Sequence, residues 1–361
     1  MAAIRTGKPS LATMLLLLLF VGSGCEEDSE SWNNDTLSGL QTGAVVFGDR
    51  TRVTVEMSVL FAENASLDLH GQIEFLMAEN TMFELPENLT IASDANIVFR
   101  SAGNTVWQKV RASHPVVSLH NITISGSIIG LDVSGAGQVQ LDHLKIKDCE
   151  QYGLYAVGQD SLIAEDCSFS DCRSDATHIK FSNARFERCE FSGSVNGIYA
   201  LDNKLSILDC VFNDNGNIEP GAGFMNQGDN AAYSIQHCLF NGNYYSVHDT
   251  ANRDVTMLKN QFSNSGYFTL LFAHPFADRV QLEQNNILPG LGDRRIELTT
   301  DGAYRVGRHL PAENNWWGTT DLDVITSLAS FEGDGRHTAN SDTIRVEPIL
   351  LTPVVDAGPR R

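Results

Sequence analysis

Between residues 167 and 240 the chain returns four times to a cysteine followed two positions later by phenylalanine: DCSF, RCEF, DCVF and HCLF. Cys167, Cys189, Cys210 and Cys238 stand 22, 21 and 28 residues apart. Each sits in the same frame, apolar-x-apolar-x-x-Cys-x-Phe, written LIAEDCSF, ARFERCEF, LSILDCVF and YSIQHCLF. The frame goes on with asparagine in the cysteine slot at VTMLKNQF (Asn260) and VQLEQNNI (Asn285). Upstream, LKIKDCEQ adds Cys149; downstream, ENNWWGTTD adds Asn315. A period in the twenties means one supersecondary unit stacked on itself.

The unit is built of strands. Stretches such as GIYAL, KLSIL and CVF alternate with period two and are separated by Asn, Asp, Ser and Gly turns. No repeat carries an unbroken helical pattern. Three short strands per coil of about 22 residues make an all-β parallel solenoid, with successive coils about 4.8 Å apart. Identical slots then lie above one another. Cys149, Cys167, Cys189, Cys210, Cys238, Asn260, Asn285 and Asn315 are expected to form one inward-pointing ladder. In it, cysteine serves as a small hydrophobe and asparagine bonds to its neighbours. Phe169, Phe191, Phe212, Phe240 and Phe262 are expected to stack beside it. The cysteines are spaced by coil length, with no CxxC pair and no histidine in register, which argues against a metal site. Mostly free thiols are expected, with Cys172, outside the ladder, the exception that could pair.

The first residues read as an export signal. Arg5 and Lys8 precede the apolar run LATMLLLLLFV, which is too short for a membrane span. GSGC follows, and two processing routes fit it: simple cleavage, or lipidation of Cys25. The acidic stretch EEDSESWNNDTLSG then reads as a tether. The expected organisation is a signal peptide over 1–24, a lipid-anchored tether over 25–40, a solenoid over 41–352 and a tail over 353–361. The membrane is reached only through the lipid. A formal charge of −20 excludes nucleic acid as a partner, because nothing basic is concentrated enough to neutralise phosphates.

Three stretches carry a family resemblance. RVTVEMSVLFAENASLDLHGQIEFLMAENTMFELPENLTIASDANIVFRSAG, followed by Trp107 in NTVWQKV, resembles the first coils of right-handed parallel β-helix proteins of the pectate-lyase-like superfamily. The C/N-x-F coils resemble their repeat. NNWWGTTD, with RVEPIL about thirty residues on, resembles their last coil in bacterial secreted or lipid-anchored members. The resemblance implies a right-handed single-stranded parallel β-helix, exported and anchored at the outer membrane or cell surface, with a secreted or periplasmic protein as the alternative. Trp316 and Trp317 are expected to plug its end, where core and strand edges would otherwise be bare. It also suggests polysaccharide lyases and hydrolases, but fold does not imply function. GHG, paired aspartates and esterase-like motifs are missing from this chain.

One column of residues is the candidate site. In the strand after each Phe turn, Leu154, Ile179, Ile198, Phe224, Val247 and Ile296 are expected to face inward. Tyr155, Lys180, Tyr199, Met225, His248 and Glu297 then face solvent. Tyrosines would stack on sugar rings while Lys180 or His248 meets an acidic group; a plain solvated strand face is the alternative. No cofactor is expected, although Asp148, Asp166 and Asp209, each before a ladder cysteine, admit a weak Ca²⁺ site. The sequence reads as a non-catalytic surface protein presenting a rigid face to polysaccharide or another envelope component. A polysaccharide lyase or hydrolase and a purely structural envelope element are the alternatives.

Overall fold

Lys204–Leu208 (KLSIL) shows how each coil begins. Leu205 and Ile207 point into the core while Lys204 and Ser206 face out, the alternation of a half-buried strand. The same pattern recurs every coil. In a computed structural model describing residues 31–217, 219–228, 231–250, 254–272, 280–288, 290, 296–299, 309–332 and 343–360, the chain winds into a parallel β-solenoid of about 11 turns. Cys25 and the signal segment lie outside the described residues.

Three strand faces repeat along the axis. The first face is an eight-stranded parallel sheet running from Val116–His120 through Ser161–Glu165, Asn183–Glu187, Lys204–Leu208 and Ala232–Gln236 to Val280–Glu283. The second face consists of three-residue strands such as Ser168–Ser170, Glu190–Ser192 and Val211–Asn213. The third contains Tyr152–Val157, Asp175–Lys180, Asn196–Leu201, Ala222–Gln227, Tyr245–Asp249 and Phe268–Phe272.

A left-handed residue makes the corner between the first and second faces. His143, Asp166, Arg188, Asp209, His237, Lys259, Gln284 and Asn314 all have φ between 52° and 57°. That conformation costs an L-residue roughly 1–2 kcal/mol, least for Asn and Asp. The next residue turns its side chain inward and offsets the cost. Its side chain accepts the N–H of the equivalent residue one coil earlier. Leu144 N–H donates to Cys167 Sγ (3.4 Å), Cys189 to Cys210 (3.4 Å), Cys210 to Cys238 (3.4 Å) and Cys238 to Asn260 Oδ1 (2.9 Å). Asn260 then donates to Asn285 and Asn285 to Asn315, each at 2.9 Å. Beside this seam Phe169, Phe191, Phe212, Phe240 and Phe262 stack at 5.5, 4.9, 4.4 and 5.1 Å between centroids, all fully buried.

Cys149 does not belong to this seam. The slot in its coil is held by Leu144, and Cys149 lies at the corner between the second and third faces. There it lines up with Ser127, Cys172, Ser194, Asn215 and Asn243. Cys172 N–H donates to Ser194 Oγ (3.0 Å), Ser194 to Asn215 Oδ1 (3.2 Å) and Asn215 to Asn243 Oδ1 (3.1 Å). Both corners place a left-handed Asp before an inward small residue (Asp148, φ 56°; Asp209, φ 54°), so the two look alike locally. Cys172 is thus a ladder residue, and it and the other five described cysteines are free, buried thiols.

Both ends of the chain depart from the expected boundaries. Residues 33–40, assigned to a tether, lie in the strand Asn33–Gln41, which pairs with Thr51–Phe61. Leu37 supplies its buried side chain. At the far end Trp317 is buried, while Trp316 is half-buried and bonds through its backbone to Asn285 and Ile287. The helix Leu322–Leu328, capped by Asp321, and the strand Ala329–Glu332 follow, so the coil continues beyond the two tryptophans. Residues 354–360 then run back along the first corner as a strap. Val354 exchanges two hydrogen bonds with Asn286, Asp356 pairs with Lys259 (2.7 Å), and Gly358 N–H donates to Lys259 O (2.9 Å). Arg360 closes on Asp209 with its guanidinium (2.9 Å twice) and its N–H (3.0 Å).

Candidate functional site

Parallel pairing decides which side chains share a column on the third face. Inward-facing Leu154, Thr177, Ile198, Phe224 and Val247 are partners in succession. The outward column is Asp132, Tyr155, His178, Tyr199, Met225, His248 and Leu271, and Glu297 follows in backbone register. The side chains of Ile296 and Glu297 lie outside what is described. Lys180 is therefore not in the column; His178 takes its place, and Thr177 takes that of Ile179. Lys180 instead pairs with Val157 and Leu201 in the next column along. A shift of two residues keeps every side chain on its own side of the strand, so alternation in DATHIK cannot detect it.

The imidazole of His178 lies in a stack of rings. It is 5.4 Å from Tyr155, 4.4 Å from Tyr152 and 4.7 Å from Tyr199, with the last pair 7° from parallel. Coil spacing imposes this closeness, and the ring faces are largely occupied by one another. What the stack offers outward is ring edges and phenol oxygens. His178 Nδ1 hydrogen-bonds Asp175 Oδ2 at 2.6 Å, and Asp175 Oδ1 accepts from Asn196 Nδ2 at 2.8 Å. The carboxylate accepts from Nδ1–H, which fixes the orientation of the ring. Nε2 is buried and has no hydrogen-bond partner among the described residues. Burial first, and then the Asp175 charge, push the Tyr152 and Tyr199 phenols up, so both stay protonated. Tyr199 donates to Gln227 Oε1 at 2.7 Å.

A second aromatic group stands further along the same side. Tyr244 and Tyr267 stack at 5.6 Å, Tyr245 lies 4.8 Å from Tyr244, and Phe268 is 4.3 Å from Tyr267. Tyr267 is 48% exposed. His248, beside Tyr245, has a buried Nδ1 with no hydrogen-bond partner among the described residues, and burial lowers its pKa so that it is neutral near pH 7. Of the eight tyrosines in the chain, six (Tyr152, Tyr155, Tyr199, Tyr244, Tyr245 and Tyr267) lie on the third face or the corner leading into it. Reading along single strands missed Tyr152, Asp175, His178 and the second group. The concentration of tyrosine between 152 and 267 was the available signal.

The three aspartates proposed for Ca²⁺ do not converge. Asp148 stands at the second corner, Asp166 is held by both arms of Arg188 at 2.8 Å, and Asp209 by Arg360. Among the described residues one group of carboxylates and histidine comes close together, Asp142, His143 and Asp166. It is exposed or half-exposed and already contains the His143–Asp142 contact (2.7 Å) and the Arg188 pair.

Residues 127–287 match the family model described as the right handed beta helix region. Those coils are a right-handed β-helix. No curated protein and no solved structure matches the chain. The matched part of the β-helix begins at Ser127, the first residue of the second-corner ladder, and ends at Ile287, the residue above Phe262 in the aromatic column. Both aromatic groups of the third face fall inside it. Among the described residues no helix is long and apolar enough to cross a membrane.

Proposed function

We propose that this β-helix is an exported surface protein that holds a carbohydrate polymer along its third face without altering it, displayed through a lipid on Cys25. The observation that carries the reading is the gathering of six of eight tyrosines on that side of the molecule. Tyrosine combines an apolar ring with a hydrogen-bonding tip and loses little conformational entropy on binding. The exposed ring of Tyr267 suits stacking on a sugar. The edges of Tyr155 and Tyr199 suit hydroxyl contacts. The coil spacing, about 4.8 Å, is close to the length of one pyranose in an extended chain, so each coil would meet one sugar. A glycan array probed with residues 31–361, which keep the strand Asn33–Gln41, tests the reading. Tyr155→Ala/Tyr199→Ala and Tyr267→Ala should each weaken retention of the same glycans. Unchanged retention in all of these variants would remove the third face from consideration. For the anchor, Cys25→Ser should move the protein from the membrane fraction to the soluble one.

The Asp175–His178 pair supports a second reading, in which the same face removes a proton from its ligand. An imidazole oriented by a carboxylate is the arrangement of a general base, and its Nε2, covered among the neighbouring rings, would have to be uncovered as the ligand binds. Release of ultraviolet-absorbing unsaturated sugars from a bound glycan, lost in His178→Gln, would favour this reading over simple retention.

A further inference from the structure

A shallow, open hollow lies on the first face, away from the tyrosines of the third face. It spans five coils and offers about 510 Å³, open to solvent, between Ser161–Glu165 at one end and Val255–Leu258 at the other. Its origin is a drop in side-chain length along two outward columns. One column runs Ile163, Arg185, Ser206, Ser234, Thr256; the other runs Asn183, Lys204, Ala232. On a flat parallel sheet the depth at each point is set by how far the side chain reaches. Arg185 and Lys204 stand up, and Ser206, Ala232 and Ser234 beside them do not. The result is a floor of small side chains and hydroxyls below a wall of two cations.

The charges there are unusual for a chain of net −20. Lys204 is exposed and has neither an ion pair nor a hydrogen bond among the described residues. Arg185 contacts Glu187, but that one carboxylate also serves Arg188. Arg188 is itself held by Asp166, so Arg185 keeps Glu187, and Lys204 is the cation of the hollow left without a partner among the described residues. Asp254 on the far rim sits more than one coil from Lys204, beyond Ala232. Serine and threonine hydroxyls both donate and accept, which suits a polyhydroxylated ligand. Ala232 leaves room for a ring to lie flat. The volume falls in the range of small-ligand sites.

We propose that this hollow is a second binding site, for an acidic saccharide of one or two rings. Its carboxylate or sulfate lies over Lys204 and Arg185, and its hydroxyls meet Ser206, Ser234 and Thr256. The site is independent of the third face, so it gives the β-helix two carbohydrate contacts on different sides.

Calorimetry on the full chain with three probes tests the site: a uronic disaccharide, a sulfated disaccharide and the uncharged hexose disaccharide. At least one acidic probe should bind, roughly tenfold or more tighter than the uncharged one, as expected for a charge-assisted contact. Affinity should fall as salt rises. Lys204→Ala and Arg185→Gln should each weaken it about tenfold, and Ser234→Leu, which fills the hollow from the solvent side, should abolish it. Tyr155→Ala/Tyr199→Ala should leave it unchanged. Which acidic probe binds decides between carboxylate and sulfate. The proposal is overturned if neither acidic probe binds, if the Lys204 and Arg185 variants bind as well as the parent, or if the tyrosine variant loses the interaction.

Discussion

At the scale of single residues, the corner ladder concentrates stability in few atoms. Asn260 accepts the N–H of Cys238, and its own Nδ2 donates to Ile235 O at 2.9 Å. Asn260→Ala would leave both groups buried and unsatisfied, at about 1–3 kcal/mol each. Asn260→Cys keeps an acceptor, as Cys238 and Cys210 do one and two coils earlier, and should cost less. Urea unfolding of the two variants should therefore separate them by more than 1 kcal/mol, on the order of one buried hydrogen bond. Equal losses would mean that the side chain only fills space. The equivalence of Cys and Asn in that slot was legible in the sequence, because a left-handed corner leaves one small inward position per coil. Cys149 was misplaced because DC closes both corners. The residue two places later tells them apart, Gln151 rather than phenylalanine.

Among the elements, the phenylalanine column and the strap behave in opposite ways. Phe212 is held between Phe191 and Phe240 at 4.9 and 4.4 Å, fully buried. Phe212→Ala should cost about 3–5 kcal/mol, readable as a lowered thermal midpoint. The strap has no such anchor: Val355 is fully exposed, and polar contacts hold the segment. Burial alone would raise the Asp209 carboxyl, but the Arg360 guanidinium and N–H hold it below the usual carboxylate range. A carboxyl depressed in this way adds stability above its unfolded pKa and loses it as pH falls through the folded value. The protection of the Gly358 N–H against exchange, measured relative to the intrinsic rate at each pH, should thus fall on acidification below about pH 4, and Arg360→Ala should show the low protection already at neutral pH. Protection independent of both would remove the ion pair from the strap's attachment. None of this was legible beforehand, since Arg360 and Asp209 are 151 residues apart and share no periodic signal. The shift from Lys180 to His178 has a different cause. Corner loops vary in length between coils, and two-residue alternation cannot fix register along a strand.

For the whole molecule, the proposed functions follow from stacking. A solenoid places each coil's outward residues in line with the next, so sparse tyrosines become a strip and a run of short side chains becomes a hollow. Both depend on comparing coils, which is why single-strand reading found Tyr155 and Tyr199 but neither their ring partners nor the first-face site. The claim beneath this is that coils are interchangeable units in register. Asn183 and Lys204 are register partners one coil apart. Deleting residues 183–203 would join Ser182 to Lys204 and remove one full coil, and deleting 183–193 would remove about half of one. Circular dichroism with thermal unfolding of the two deletions is the direct measurement. The full-coil deletion should keep the β signal and a cooperative transition, while the half-coil deletion should lose both. If the two behave alike, the coils are not equivalent, and the alignment of ladder, tyrosine strip and hollow is contradicted.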